Sequence, residues 1–337
     1  MTVETGADAM LELRDVSKRF VKSLDLAGKI AQRFGVDIRE EIVHAVDGVS
    51  LNIASGEVVG LVGESGCGKS TLGRIVAGVH QPSNGSVKFR GRDIAGLKGA
   101  EARDVALKVQ MIFQDPMSSL NPRLRVQDII GEAPVVHGVV ARSEMADYVE
   151  ETMLRVGLDP SYARRYPHQF SGGQRQRIGI ARALAVKPEF LVCDESVAAL
   201  DVSIQAQVLN LFMTLREELD LTYLFISHDL GVVEHLSDRV VIMYLGRVVE
   251  IAQTEALFAE PNHPYTKALL AEVPRLETRR RRFEPVRGEI PSPIDPPSGC
   301  HFHPRCPHAS ERCRVERPVL REIAPDRYAA CHLNDEA

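Results

Sequence analysis

No stretch of this sequence approaches the ~18 consecutive apolar residues that would span a bilayer, and Met1 to Met10 is acidic and polar with no apolar signal core. The expected compartment is the cytoplasm. Positive charge is not in excess either: 41 Lys and Arg face 46 Asp and Glu, a formal net charge of -5, so bulk electrostatics give no reason for nucleic acid as the main partner. The six cysteines form no disulfide framework in a reducing compartment, and no two of them stand at the spacing usual in structural zinc sites. What is present is a chain of 337 residues, 44% hydrophobic and 26% charged, enough for one large α/β domain with additions or for two domains.

One stretch organises the rest. The apolar run Val58 to Val62 reads as a buried strand, and Leu72, Ile75, Val76 and Val79 recur at helical spacing. Between them lies Gly63-Glu64-Ser65-Gly66-Cys67-Gly68-Lys69-Ser70-Thr71. Strand, glycine-rich loop and helix, with Lys-Ser closing the loop, is the phosphate-binding pattern. Glycines let successive N–H groups wrap a phosphate, and the helix dipole adds positive charge. Lys69 is expected to reach the β- and γ-phosphates and Ser70 to coordinate Mg²⁺, while Thr71 caps or packs the first turn.

Leu11 to Leu13 alternates as a first strand, and Phe20 follows a polar turn. Val21 to His44 carries Leu24, Leu26, Ile30 and Phe34 at roughly helical spacing, which predicts an inserted amphipathic helix or a mobile loop. Later strands are expected at Val46–Ile53, Ser86–Phe89, Val109–Phe113, Phe190–Cys193, Thr222–Ile226 and a hairpin over Arg239–Ile251. Pro116 to Pro122 reads as a loop. From Val126 to Tyr166 the pattern is helical, with Met145, Val149, Met153 and Val156 on one face, and no strand interrupts it. Two further helices are expected from Arg175 and from Ile204 to Leu215. Glu284 to Pro297 is proline-rich and reads as a linker, and the four arginines Arg279 to Arg282 as a solvated face.

A second constellation sits at strand ends. Phe190 to Cys193 delivers Asp194 and Glu195 to the carboxyl edge of the sheet, beside the phosphate loop. Asp194 would hold Mg²⁺ through water, and Glu195 would orient and polarise the attacking water. Gln114 and His228 end two other strands, so a parallel sheet gathers them at the same edge. Gln114 can touch Mg²⁺ or the water, and His228 can donate to the γ-phosphate.

These residues, with Ser171-Gly172-Gly173-Gln174 and Ala199-Leu200-Asp201, resemble in order and spacing the nucleotide-binding subunits of ATP-binding cassette (ABC) transporters. The resemblance spans residues 10–258. It implies an α/β ABC-type P-loop ATPase core: a mixed sheet with helices, an antiparallel β subdomain, and an inserted helical subdomain at about 116–170. It further implies that Ser171, Gly172, Gly173 and Gln174 close over the ATP of a second ATPase subunit, that Asp201 couples the two sites, and that Phe20 stacks on adenine. One departure is visible, since Ser196-Val197-Ala198 follows Glu195 where the family commonly has Pro-Thr-Ser; both carboxylates stay in place.

The segment from 259 to 337 is similar to the C-terminal extension of ATPase subunits from dipeptide and oligopeptide importers, through His263 to Leu270, Gly288 to Pro293 and a cysteine cluster over 300–331. Nickel and glutathione importers share it. The implied protein is a peptide importer's ATPase at the cytoplasmic face of the membrane, paired with a second ATPase subunit in a heterodimer, beneath two transmembrane permease subunits and served by an extracytoplasmic substrate-binding protein. The implied cofactors are ATP and Mg²⁺. Cys300, Cys306, Cys313 and Cys331 suit a [4Fe-4S] cluster of the kind some such ATPases carry; zinc with His301, His303, His308 or His332, and free thiols, stand as alternatives. A soluble ABC ATPase acting on nucleic acid is the rival reading. Such proteins usually carry two cassettes or a long coiled coil, and neither is found here.

Overall fold

The computed structural model describes residues 9–22, 41–272 and 288–335. Among them twelve strands build two sheets. In chain order these are β1 (Ala9–Lys22), β2 (Glu41–Ala54), β3 (Val58–Val62), β4 (Asn84–Phe89), β5 (Arg92–Asp93) and β6 (Val109–Ile112), then β7 (Phe190–Asp194), β8 (Thr222–Ser227), β9 (Arg239–Tyr244), β10 (Arg247–Gln253), β11 (Arg321–Ala324) and β12 (Arg327–Ala329).

The smaller sheet runs β2-β1-β4-β5 and is antiparallel throughout. Leu11, Leu13 and Val16 of β1 and Val49, Leu51 and Ile53 of β2 turn inward, leaving the alternate residues outside, as a half-covered antiparallel sheet requires. The larger sheet runs β11-β12-β10-β9-β3-β8-β7-β6. Its β6, β7, β8, β3 and β9 are parallel, and every residue of β3, β7 and β8 is buried. Continuous apolar runs such as Val58 to Val62 are what strands covered on both faces demand.

The helical insertion is as expected between β6 and β7. Helices Val126–Val136 and Met145–Arg155 pack Ile130, Val149 and Met153 against the helix Gly172–Leu184, with no strand among the described residues of that region. The expected fold class, mixed sheet plus antiparallel subdomain plus helical insertion, is the one observed.

Several boundaries are corrected. The expected insertion over Val21 to His44 begins and ends as strand: Val21 and Lys22 pair with Ile42 and Glu41, because β1 and β2 stay paired to the last described residues, while residues 23–40, with Leu24, Leu26, Ile30 and Phe34, lie outside the described residues. Pro116–Ser119 is a short helix rather than loop, its N-terminus capped by the Asp115 carboxylate, which accepts from Met117 N–H at 2.8 Å. The arginines 279–282 lie outside the described residues, but the end of the expected linker does not behave as a free spacer. Pro293 accepts a hydrogen bond from His44 N–H at 2.9 Å. The segment beyond residue 258 also rejoins the main sheet, with β12 pairing β10 at Glu250–Ala329 and Ile251–Tyr328.

Candidate nucleotide site

The loop after β3 is shaped by close approach. A Cβ at Gly63 would lie 2.1 Å from the Met243 carbonyl oxygen, and Gly68, at φ +103°, has the Ala45 carbonyl where its Cβ would be. Neither position admits a side chain without moving backbone. The loop leads directly into the helix Lys69–Val76, and Ser65, Gly66 and Gly68 of the loop line one space with Lys69, Ser70 and Thr71 of the helix start. Lys69 is buried along its stem, and its Nζ donates to the carbonyls of Gly63 at 2.7 Å and Glu64 at 2.9 Å. Cys67 beneath the loop is buried, and desolvation pushes its thiol up, so it packs as an apolar residue.

β7 lies two strands from β3 in the same parallel set, and this brings Asp194 to the loop. Ser70 Oγ donates to Asp194 Oδ1 at 2.8 Å. Burial raises the Asp194 carboxyl above its ordinary value, opposed by the Ser70 hydrogen bond and the nearby Arg74. A hydroxyl and a carboxylate so joined form an oxygen donor pair of the kind a hard divalent cation takes.

Glu195 adopts φ +45°, a left-handed conformation rare outside glycine, and its N–H is fixed to the Ile226 carbonyl at 2.9 Å. Its Oε2 accepts from Gln114 Nε2 at 2.8 Å and lies 3.3 Å from His228 Nδ1. Three strand ends that were separate in sequence therefore meet on one carboxylate oxygen. Phe20, Ser65, Gly66, Gly68, Lys69, Ser70, Thr71, Gln114 and Glu195 line a cavity of about 320 Å³ together with Val43, Ala45 and Pro293. Phe20 is 38% exposed at its rim, edge-on to His80 at 5.6 Å between ring centroids.

The stretch Ser171 to Gln174 is not among the residues lining that cavity. It forms a capping box at the start of the helix Gly172–Leu184: Ser171 Oγ accepts from Gln174 N–H at 3.3 Å, and Gln174 Oε1 from Ser171 N–H at 3.0 Å. Asp201 is the residue before the helix Val202–Leu219, whose first residue, Val202, is 83% exposed.

Two contributors escaped the sequence reading. Pro293 sits in a proline-rich run whose composition signals a linker, and nothing local marks it as a wall of this cavity. Arg305 pairs with Glu64 across a separation of 241 residues, beyond the reach of any spacing rule.

The C-terminal cysteines are all partly buried. Burial pushes Cys300 up to about 11 and raises Cys306 and Cys331, with the neighbouring thiols adding to each shift. Among the described residues, no group of three or more His, Cys, Asp and Glu side chains is arranged to hold a metal ion, so the expected ligand set is not formed as a metal site. Of the histidines kept for zinc, His332 has both ring nitrogens engaged, with Asp335 Oδ2 at 3.1 Å and the Glu316 carbonyl at 3.0 Å.

A parallel sheet that feeds a glycine loop into a helix, with a hydroxyl–carboxylate pair and a second carboxylate next to it at the end of β7, defines a phosphate-loop ATPase. The chain belongs to the ABC transporter family, in the branch of oligopeptide and dipeptide ATP-binding proteins. Residues 46–198 match "ABC transporter" and residues 249–313 match "Oligopeptide/dipeptide transporter, C-terminal region". It is 50% identical over 331 residues to "Oligopeptide transport ATP-binding protein AppF" of Bacillus subtilis (strain 168), covering 97% of this chain and 98% of that one. It is 51% identical to "Probable peptide ABC transporter ATP-binding protein y4tS" of Sinorhizobium fredii, over 88% of this chain and 84% of that one. Among solved structures, the dimeric ATP-binding cassette MJ0796 bound to ADP and Pi shares 28% identity at a TM-score of 0.62, covering 73% of this chain and 99% of that one.

Proposed function

We propose that this chain is the ATP-hydrolysing subunit that energises uptake of dipeptides and oligopeptides. The observation that carries the reading is the convergence of Gln114, Glu195 and His228 on one oxygen beside the Lys69 loop. In this reading Lys69 and the loop N–H groups hold the β- and γ-phosphates, and Ser70, Asp194 and Gln114 serve Mg²⁺. Glu195 orients the attacking water, His228 contacts the γ-phosphate and Phe20 stacks on the base. Transfer is directly to water, with the protein supplying position and charge rather than a covalent intermediate.

A second ATPase subunit completes the site. Ser171 to Gln174 present a capped helix start that lies outside their own chain's cavity, which suits a role over a partner's γ-phosphate, and Leu200, the residue before Asp201, lies beside Gly172. Two permease subunits and an extracytoplasmic binding protein complete the assembly, with this chain peripheral at the cytoplasmic face. Consistent with that, no described helix is long and apolar enough to cross a membrane. The peptide substrate rests on the match of residues 249–313 and on the printed names of the relatives.

Cys300, Cys306, Cys313 and Cys331 would hold a [4Fe-4S] cluster. The donor set suits one by its chemistry, four free and partly buried thiols, two of whose residues are joined by Cys300 N–H donating to the Cys313 carbonyl at 2.9 Å. Such a cluster would cross-link the segment at one point.

The test is ATP-dependent uptake in membrane vesicles holding the chain with its permeases, comparing labelled tripeptides, Ni²⁺ and glutathione. Peptide uptake that K69A abolishes is expected. Uptake of Ni²⁺ or glutathione alone would replace the substrate, and ATPase activity stimulated by nucleic acid would replace the class. Iron and sulfide in anaerobically purified protein test the cluster, and stoichiometric zinc would refute it.

A further inference from the structure

Glu64 is an awkward residue for a phosphate loop. Its carboxylate adds negative charge beside a space built for a triphosphate, yet it is the second residue of the loop. Its side chain is taken up by Arg305 from the C-terminal segment. Arg305 Nη1 donates to Glu64 Oε2 at 2.7 Å and Nη2 to Oε1 at 2.9 Å, a fork-on-fork pair. The side chains are 5% exposed for Arg305 and 21% for Glu64, so water screens the pair little.

The grip extends to the backbone. Glu64 N–H donates to the Tyr265 hydroxyl at 2.9 Å, and the Glu64 carbonyl accepts from Lys69 Nζ. Arg305 in turn lies against Tyr244, its guanidinium carbon 5.8 Å from the ring centroid, and Tyr244 packs on Tyr265 and Phe302. Every polar group of Glu64 is thus fixed, and of its partners Arg305, Tyr265, Lys69 and Cys67 the first two come from beyond residue 258.

We propose that Arg305 is a positioning residue of the ATP site, which cancels the Glu64 charge and holds the start of the phosphate loop in its binding shape. Glu64 then shapes the loop without itself contacting ATP, its N–H given to Tyr265 and its carboxylate to Arg305. Arg305 adjoins Cys306, so the cysteine segment sets the loop's geometry through this one side chain. The inference rests on Gly63 to Thr71 being the ATP site.

Equilibrium titration of the full chain with Mg-ATP tests it. R305Q is expected to weaken ATP binding about tenfold, equivalent to about 1.4 kcal/mol. R305K keeps the charge but lacks the fork, and should fall between R305Q and the wild type. Adding E64Q to R305Q should recover most of the loss, because the uncompensated carboxylate is gone. Wild-type affinity in R305Q would overturn the proposal, as would a double variant no better than R305Q, which would mean general loosening. Should R305Q fail to fold, R305K decides: undiminished affinity overturns the proposal. K69A is the control for the site itself. If K69A binds ATP as the wild type does, the assignment of the loop fails instead.

Discussion

In the proposed hydrolysis, Glu195 concentrates the chemistry of the site on one side chain. Its positive φ and its bond to Ile226 fix the backbone, and Gln114 and His228 fix the carboxylate, so the oxygen that would face a water has little freedom. Replacing Glu195 by Gln keeps an oxygen for Gln114 but removes the charge that polarises water. Turnover of ATP is expected to fall by roughly 10²- to 10⁴-fold while ATP binding persists. Steady-state hydrolysis and nucleotide titration measure the two separately, and unchanged turnover would remove Glu195 from its role. At this scale the sequence was most readable where chemistry is local. Lys69, Ser70 and the Asp194–Glu195 pair follow from a loop and a strand end. The left-handed turn at Glu195 had no signal, because Asp-Glu-Ser carries no glycine to announce it.

The helix Pro264–Ala271 shows how an element ties the C-terminal segment down. His263 precedes it, and its Nδ1 accepts from Tyr265 N–H at 3.0 Å while the ring also hydrogen-bonds the Ala330 backbone beside β12. The acceptor role demands a neutral ring. Burial pushes His263 down to about 3 from 6.5, and His301 down to about 4. In the unfolded chain both rings take up protons as pH falls through 6.5, while the folded chain resists. This stability is therefore full above about pH 6.5 and is lost progressively as pH falls toward the folded values. H263N retains a capping oxygen without a titrating ring. Its melting temperature should fall less steeply than the wild type's between pH 6.5 and 4, with a residual slope from His301. Equal slopes in the two proteins would dismiss His263 as the source. The strands around this helix explain what sequence could not supply. Buried strands such as Val58–Val62 declare themselves by composition, whereas β11 and β12 are too short to carry a pattern and are set by pairing, β12 with β10 and β11 with β12.

Across the whole molecule, packing and hydrogen bonds cross the division at residue 258. Glu250 of β10 is buried, and its carboxylate accepts from the N–H groups of Asn262 and His263, each at 2.8 Å. Phe302, from the cysteine segment, sits with its ring centroid 5.2 Å from Tyr244 and 5.3 Å from Tyr265, inside a cluster that reaches Val62 at the end of β3. The last strand residue before the phosphate loop thus shares a core with residues 240 positions later in the chain. Truncating Phe302 to Ala should cost roughly 3 to 5 kcal/mol, the range for removing a buried aromatic ring. Because that core is continuous, the loss should appear in the transition that Mg-ATP raises, rather than in a separate melting of the C-terminal segment. Calorimetry of F302A with and without Mg-ATP decides. A wild-type profile with two transitions, of which F302A lowers only the one insensitive to nucleotide, would make the C-terminal segment an independent module and break the link from cysteine segment to phosphate loop.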